Sequence, residues 1–186
     1  MARRFELDDS RSRVLYVFEI LVQIAVVSVL GLFLARFLFF STKSFSKSME
    51  PTILPDSVVF INRSAYSMNE PKRFDVAAFT RNEERDSDIL IRRIIGLPGE
   101  TVRISRGKVY INDEELELSG MISEITSDGI ASEGIRLSED EYFVLGDTPA
   151  NSEDSRSSTV GAVKRERIIG KAWITVKSIT ELKFIH

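Results

Sequence analysis

From Val14 to Phe40 the chain reads VLYVFEILVQIAVVSVLGLFLARFLFF, and between Glu19 and Arg36 nothing is charged. Only Gln23 and Ser28 are polar in that interval. About 20 apolar residues in a helix cross a hydrocarbon core of about 30 Å, so this segment is expected to span a membrane. A buried core helix is the competing explanation, but core helices rarely run this long without a polar face. A cleaved signal peptide shares the basic start. Here, however, the apolar run is too long, and Leu38-Phe39-Phe40 offers no small-residue cleavage site. The reading is a retained transmembrane anchor over residues 14–40, with a short segment 1–13 before it and a polar domain 41–186 after it. Arg3, Arg4, Arg11 and Arg13 precede the span, while Arg36, Lys43 and Lys47 follow it. That small excess favours a cytoplasmic N-terminus and an extracytoplasmic domain. Phe37, Phe39, Phe40 and Trp173 are candidates for the membrane interface, Trp173 equally for the core.

Residues 41–186 read mostly as short strands. Ser57–Ile61, Asp75–Phe79, Ile89–Ile95, Glu141–Leu145 and Ile168–Val176 are apolar runs rich in β-branched or aromatic residues and bounded by turn signals. Pro98-Gly99 fits the centre of a type II turn. The stretch VRISRGKVYINDEELEL carries two hairpin signals, at Arg106-Gly107 and Asn112-Asp113. Residues 117–139 are Ser-, Gly- and Glu-rich and read as a loop, so a hairpin-and-loop insertion is expected over about 103–140. The acidic run from Glu83 to Asp88 reads as a solvated loop. No amphipathic helix follows the anchor. The expected fold is mostly β, a β-barrel or β-sheet domain behind a single N-terminal transmembrane helix.

Composition narrows the chemistry. The chain has no cysteine, which excludes a disulfide framework, a cysteine-ligated metal or iron–sulfur site and a thiol nucleophile. Its one histidine is His186, so a Ser-His-Asp triad or a histidine metal site is close to excluded. No metal or cofactor is expected. Net charge is −3, which gives no electrostatic case for nucleic acid.

Three stretches carry the remaining chemistry. The first is Ser46-Lys47-Ser48-Met49-Glu50-Pro51-Thr52. In an extended chain Ser46 and Ser48 would share one face, with Lys47 on the other. A serine hydroxyl beside a second hydroxyl and a backbone N–H can supply a nucleophile and an oxyanion site, although Ser-x-Ser alone is usually a plain loop. The second runs from Ile91-Arg92-Arg93 to Leu97-Pro98-Gly99, and the third from Gly146-Asp147 to Asp154-Ser155-Arg156.

In this order, behind one N-terminal span, the three boxes resemble the type I signal peptidase family over roughly residues 10–176. The resemblance implies a signal-peptidase-like β-domain that cuts signal peptides from exported preproteins at the outer face of the plasma membrane. It implies Ser48 as nucleophile, with the Ser48 N–H and the Ser46 hydroxyl forming the oxyanion hole. Ser152 would orient the general base, while Asp147, Asp154, Arg156 and Arg93 would brace the site. Met49 and Ile91 would contact substrate, which would add as a strand beside the base-bearing strand. Specificity would be for small side chains one and three residues before the cut.

At the general-base position, where the family has lysine, this chain has Arg92. Burial can bring a lysine from about 10.4 toward neutrality, whereas arginine starts at about 12.5–13.8. At about pH 8 arginine would need a fall of roughly 5 units, or about 7 kcal/mol, which is about five decades in rate. Other departures are Thr148-Pro149-Ala150 in the third box, Phe74 where glycine is common, and Pro55 before Asp56. Two functions follow from the resemblance. One is a membrane-anchored signal peptidase with severely reduced turnover. The other is a non-catalytic homologue that binds secreted or pilus subunits as an assembly chaperone. A structural β-domain that keeps the boxes only for folding is the third reading.

Overall fold

The computed structural model describes residues 2–67, 69–82, 88–118, 120–178 and 181–185, with backbone alone over 2–13 and 34–39. Most of the acidic run, 83–87, and His186 lie outside the described residues. The chain divides into two units, Met1–Leu38 and Phe39–His186.

The first unit is one helix, α1 (Ala2–Leu38). Side chains 14–33 are exposed throughout, and Val14–Phe33 is long and apolar enough to cross a membrane. A core helix would bury one stripe of its surface; among the described side chains, 14–33, none is buried. Phe39 and Phe40, read from the sequence as the end of the span, instead open a strand. Their β propensity is satisfied by pairing with Asn62 and Ile61.

The second unit is built from β1 (Phe39–Ser44), β2 (Ser57–Asn62), β3 (Val76–Thr80), β4 (Ile89–Gly96), β5 (Thr101–Ser105) and β6 (Lys108–Ile111). It continues with β7 (Glu114–Leu116), β8 (Ile135–Arg136), β9 (Glu141–Leu145), β10 (Val163–Lys164), β11 (Ile168–Val176) and β12 (Leu182–Phe184). Among the described residues the larger sheet runs β1-β2-β11-β3-β4-β9-β10, with β12 added to β11. All pairings are antiparallel. β11 pairs with β3 through Ile168–Lys171 and with β12 through Ile174–Val176, with a register break on each side. Such breaks bend a strand and curl its sheet. The smaller sheet runs β7-β6-β5-β8.

Both faces of the larger sheet are covered. One carries Met49, Ile53, Val59, Ile61, Val76, Ala78 and Ile91. The other carries Tyr66, Ala77, Phe79, Ile94, Tyr142 and Val144. A third cluster joins the sheets, with Phe143 and Leu145 of β9 against Val102, Ile104 and Val109 of β5 and β6. The two hairpins form where the sequence places them. Arg106 and Gly107 have φ of 52° and 75°, Asn112 and Asp113 of 50° and 68°, the two positive values that a type I′ turn requires. Phe74 also takes φ of 71°, which costs a bulky L-residue roughly 1–2 kcal/mol. Its ring packs against the cluster between the sheets, and that burial offsets the strain.

Phe143 is fully buried where the sheets meet. Phe143→Ala should therefore cost about 3–5 kcal/mol, measured by urea unfolding of the detergent-solubilised protein. A loss below about 1 kcal/mol would mean that the sheets do not depend on this contact.

Candidate active site

β1 ends at Ser44, and the chain then turns rather than running on extended. Glu50 N–H donates to the Lys47 carbonyl at 3.2 Å and Ile53 N–H to the Met49 carbonyl at 2.7 Å. Met49 and Ile53 are sunk in the core, and this pins the turn and draws Ser48 in to 1% exposure while Ser46 and Lys47 stay exposed. The expected alternation of an extended chain is thus replaced by a turn. Ser46 and Ser48 meet because the Ser48 N–H donates to Ser46 Oγ at 3.1 Å, a local serine-to-backbone bond. The two groups expected to point at an oxyanion are here bonded to each other.

The third box is fastened to the first. Thr148 N–H donates to the Ser48 carbonyl at 2.9 Å, and Thr148 Oγ1 donates to the Glu50 carbonyl at 2.9 Å. Gly146 lies in the join. A Cβ there would collide with the Ser152 side chain and come within 2.7 Å of the Ser48 carbonyl oxygen. Asp154 accepts the Gly146 N–H at 3.1 Å and takes a two-pronged contact from Arg156, Nε to Oδ1 at 2.8 Å and Nη2 to Oδ2 at 3.0 Å. Arg156 also donates to the carbonyls of Pro149 and Ser127, at 2.6 and 3.1 Å. Through these bonds it ties the third box to the loop that precedes β8.

Arg92 and Arg93 leave β4 on opposite faces, as strand alternation requires. Arg93 grips Asp147 with Nε to Oδ1 at 2.8 Å and Nη2 to Oδ2 at 2.7 Å, the pair being 4% and 0% exposed. Its Nη1 donates to the Phe74 carbonyl at 2.9 Å. Thr52 Oγ1 accepts from Arg93 and donates to Asp147. Arg92 is also buried, 4% exposed, but is held by main-chain carbonyls: Nε donates to Glu153 O at 3.0 Å and Nη1 to Ile91 O at 2.6 Å. Among the described residues no carboxylate comes within ion-pair distance of it. Burial pulls its pKa down to about 10 against the opposing pull of Asp154 and Glu153, and Arg81 lowers it further. The guanidinium stays charged at neutral pH.

Ser152 departs from expectation. Its Oγ is buried without a hydrogen-bond partner, so it does not orient Arg92. Nε and Nη1 of the guanidinium are held by carbonyls instead. Met49 departs as well, since it is core rather than cleft wall.

Ser46, Ser48, Ile91 and Arg92 line one cleft of about 240 Å³, together with Lys43–Phe45, Arg81 and Asp88–Leu90. Two strand edges border it. Among the described residues, β1 pairs only with β2, and β4 is unpaired on its β9 side until Arg93. Sequence reasoning missed Thr52, although it sits inside the first box, and missed the Arg81–Glu153 bridge of 2.5 Å. No spacing pattern signals that bridge, because its partners come from unrelated loops.

Ser48 and Arg92 thus share one cleft of an antiparallel β-domain. The family model for signal peptidase, peptidase S26, matches residues 17–177. The chain is 34% identical over 133 residues to the probable signal peptidase I-2 of Synechocystis, covering 69% of this chain and 59% of that protein. It is 29% identical over 167 residues to signal peptidase I T of Bacillus subtilis, covering 86% of this chain and 85% of that one. A solved signal peptidase I from Enterococcus faecalis aligns with 31% identity and a TM-score of 0.44, over 56% of this chain and 97% of that one. The chain belongs to the signal peptidase family, peptidase S26.

Removing the charge on Asp147 would take from the buried Arg93 the carboxylate it grips with two nitrogens. Asp147→Asn should cost about 3–5 kcal/mol, measured by urea unfolding. A cost under about 1 kcal/mol would show that the pair is not needed to hold the three boxes together.

Proposed function

We propose that this protein acts on the signal peptides of exported preproteins, with Ser48 as nucleophile and turnover severely reduced by Arg92. The observation that carries this is the shared cleft. It holds a buried Ser48 and a buried Arg92 that, among the described residues, has no ion-pair partner. The signal peptide would add as a strand to the open edges of β1 and β4. The apolar helix would anchor the chain in the plasma membrane with its N-terminus cytoplasmic and residues 41–186 outside.

Attack by Ser48 requires a group that takes its proton. The one histidine, His186, lies outside the described residues, and the exposed Lys47 does not line the cleft. At a pKa of about 10, only about one Arg92 in a thousand is neutral at pH 7. Burial therefore leaves a deficit of about three decades at pH 7, where an unburied arginine would face about six. A second reading, binding of secreted or pilus subunits without cleavage, is favoured by the unpartnered Ser152 Oγ and by the carbonyl bonds that occupy Arg92.

Cleavage of a preprotein by the detergent-solubilised protein, beside Ser48→Ala and Arg92→Lys, separates the two. The peptidase reading expects slow cleavage that Ser48→Ala abolishes and Arg92→Lys raises by about three decades. A silent wild type that gains activity only as Arg92→Lys would show that the base alone is missing. Silence in both would leave the binding reading.

Residual cleavage also has a signature in pH. The working base is neutral Arg92, and below its pKa that fraction grows tenfold per unit. The Ser48-dependent rate should thus climb about tenfold per pH unit from 7 toward 10. A rate independent of pH over that range would assign the proton to another group.

A further inference from the structure

A guanidinium presents five N–H donors in a planar fork that fits a carboxylate. Arg92 uses Nε on Glu153 O and Nη1 on Ile91 O, and its Nη2 has no partner among the described residues. Among the described residues, the carboxylates around it are already engaged. Glu153 is bound by Arg81 at 2.5 Å and by Thr159 Oγ1 at 2.7 Å. Asp154 has both oxygens on Arg156 and also takes the Gly146 N–H, and Asp88 lies 3.7 Å from Arg81. At pH 7 Arg92 thus carries a nearly inaccessible charge with only neutral oxygens hydrogen-bonded to it among the described residues, a costly arrangement. An anion delivered into the cleft would remove that cost.

The direction from which such an anion can come is set by β4. Ile94 turns its N–H and carbonyl toward the β3 side, to Asp75 and Phe74. By alternation Ile91 turns its own toward the open edge, and there its carbonyl holds Arg92 Nη1. A peptide added along Ile89–Ile91 therefore meets the guanidinium in line with its backbone. A neutral amine at this position would accept a proton and have no preference for an anion. The guanidinium reverses that role.

We propose that the cleft is a receptor for the free C-terminal carboxylate of an extended peptide, with the Arg92 fork as its anion-binding group. The inference rests on the reading that the cleft takes an extended peptide, and it names the end of the chain that is held. A chain end of this kind is what a peptidase leaves on the signal-peptide side of its cut. The protein would then retain cleaved products or carboxyl-terminal segments rather than uncut chains.

The test is fluorescence anisotropy at pH 7 with the full-length, detergent-solubilised protein. The probes are a labelled decapeptide ending Ala-Gln-Ala as free acid, the same peptide as amide, and an amidated version with aspartate as its final residue. The free acid should bind about ten- to hundredfold tighter than the amide, as expected for a charge-assisted hydrogen bond. Arg92→Gln, checked for folding by circular dichroism, should bring acid and amide together. A readout without any variant is thermal: the free acid should raise the melting temperature of the wild type more than the amide does. Equal binding of acid and amide, or a preference that survives Arg92→Gln, overturns the proposal. An aspartate amide as tight as the free acid also overturns it, because a side chain would then serve as well as a chain end. If no probe binds, the peptide-cleft reading falls with it. If acid and amide bind equally, only the carboxylate proposal falls.

Discussion

The two-pronged contact of Arg93 on Asp147 is the joint on which the site is built. Thr52 comes from the first box, Arg93 from the second and Asp147 from the third, and all three share one hydrogen-bonded cluster. The segments are far apart in sequence and bring their polar groups into a nearly dry interior. A buried charge is tolerated only when it is paired and its remaining donors are filled. Arg93 meets both conditions, because its third nitrogen finds the Phe74 carbonyl. That bond also gives a reason for the strained backbone at Phe74, since its carbonyl closes the cluster while its ring fills the cluster between the sheets.

Arg92 is the neighbour for which this balance fails. Strand alternation turns it to the other face of β4, toward the cleft, where among the described residues no carboxylate is within ion-pair distance of it. Two adjacent arginines, equally buried, are therefore unlike in energy. One stabilises the fold through a complete ion pair, and the other keeps its charge on carbonyl oxygens alone. This difference, more than the identity of the nucleophile, decides what the cleft can do.

Much of this was legible in the sequence. β-branched runs bounded by Gly, Pro and Asn gave β2, β3, β4, β9 and β11, and Arg106-Gly107 and Asn112-Asp113 marked both hairpins. β1 was hidden because Phe39-Phe40 continue the apolar character of the helix, and only cross-strand pairing with β2 distinguishes strand from span there. β8, β10 and β12 are two or three residues long, too short for any periodicity to register. The three boxes were visible as residues, but their contacts were not. Alternation placed Ser46 beside Ser48 for the wrong local reason. The turn that joins them depends on Met49 and Ile53 finding a core that the sequence does not locate. Ser152 was expected to hold the base, and the structure leaves its hydroxyl empty, because a guanidinium reaches carbonyls that a shorter amine would not.

Binding and catalysis draw on different parts of this site, and the arginine touches them unequally. The open edges of β1 and β4 are main-chain features, fixed by sheet order and by the anchoring of Met49, Ile53 and Thr148, and none of these depends on what stands at Arg92. In the proposed reaction, proton transfer would fall to that one side chain. A guanidinium where the resemblance places an amine would therefore remove the acceptor while leaving the proposed peptide-binding frame in place. It also adds a fixed positive charge at the point where a bound strand would end. Because the added charge cannot be shed near neutral pH, the cleft is biased toward ligands that bring a negative charge, and a cut peptide has one where an intact chain has none.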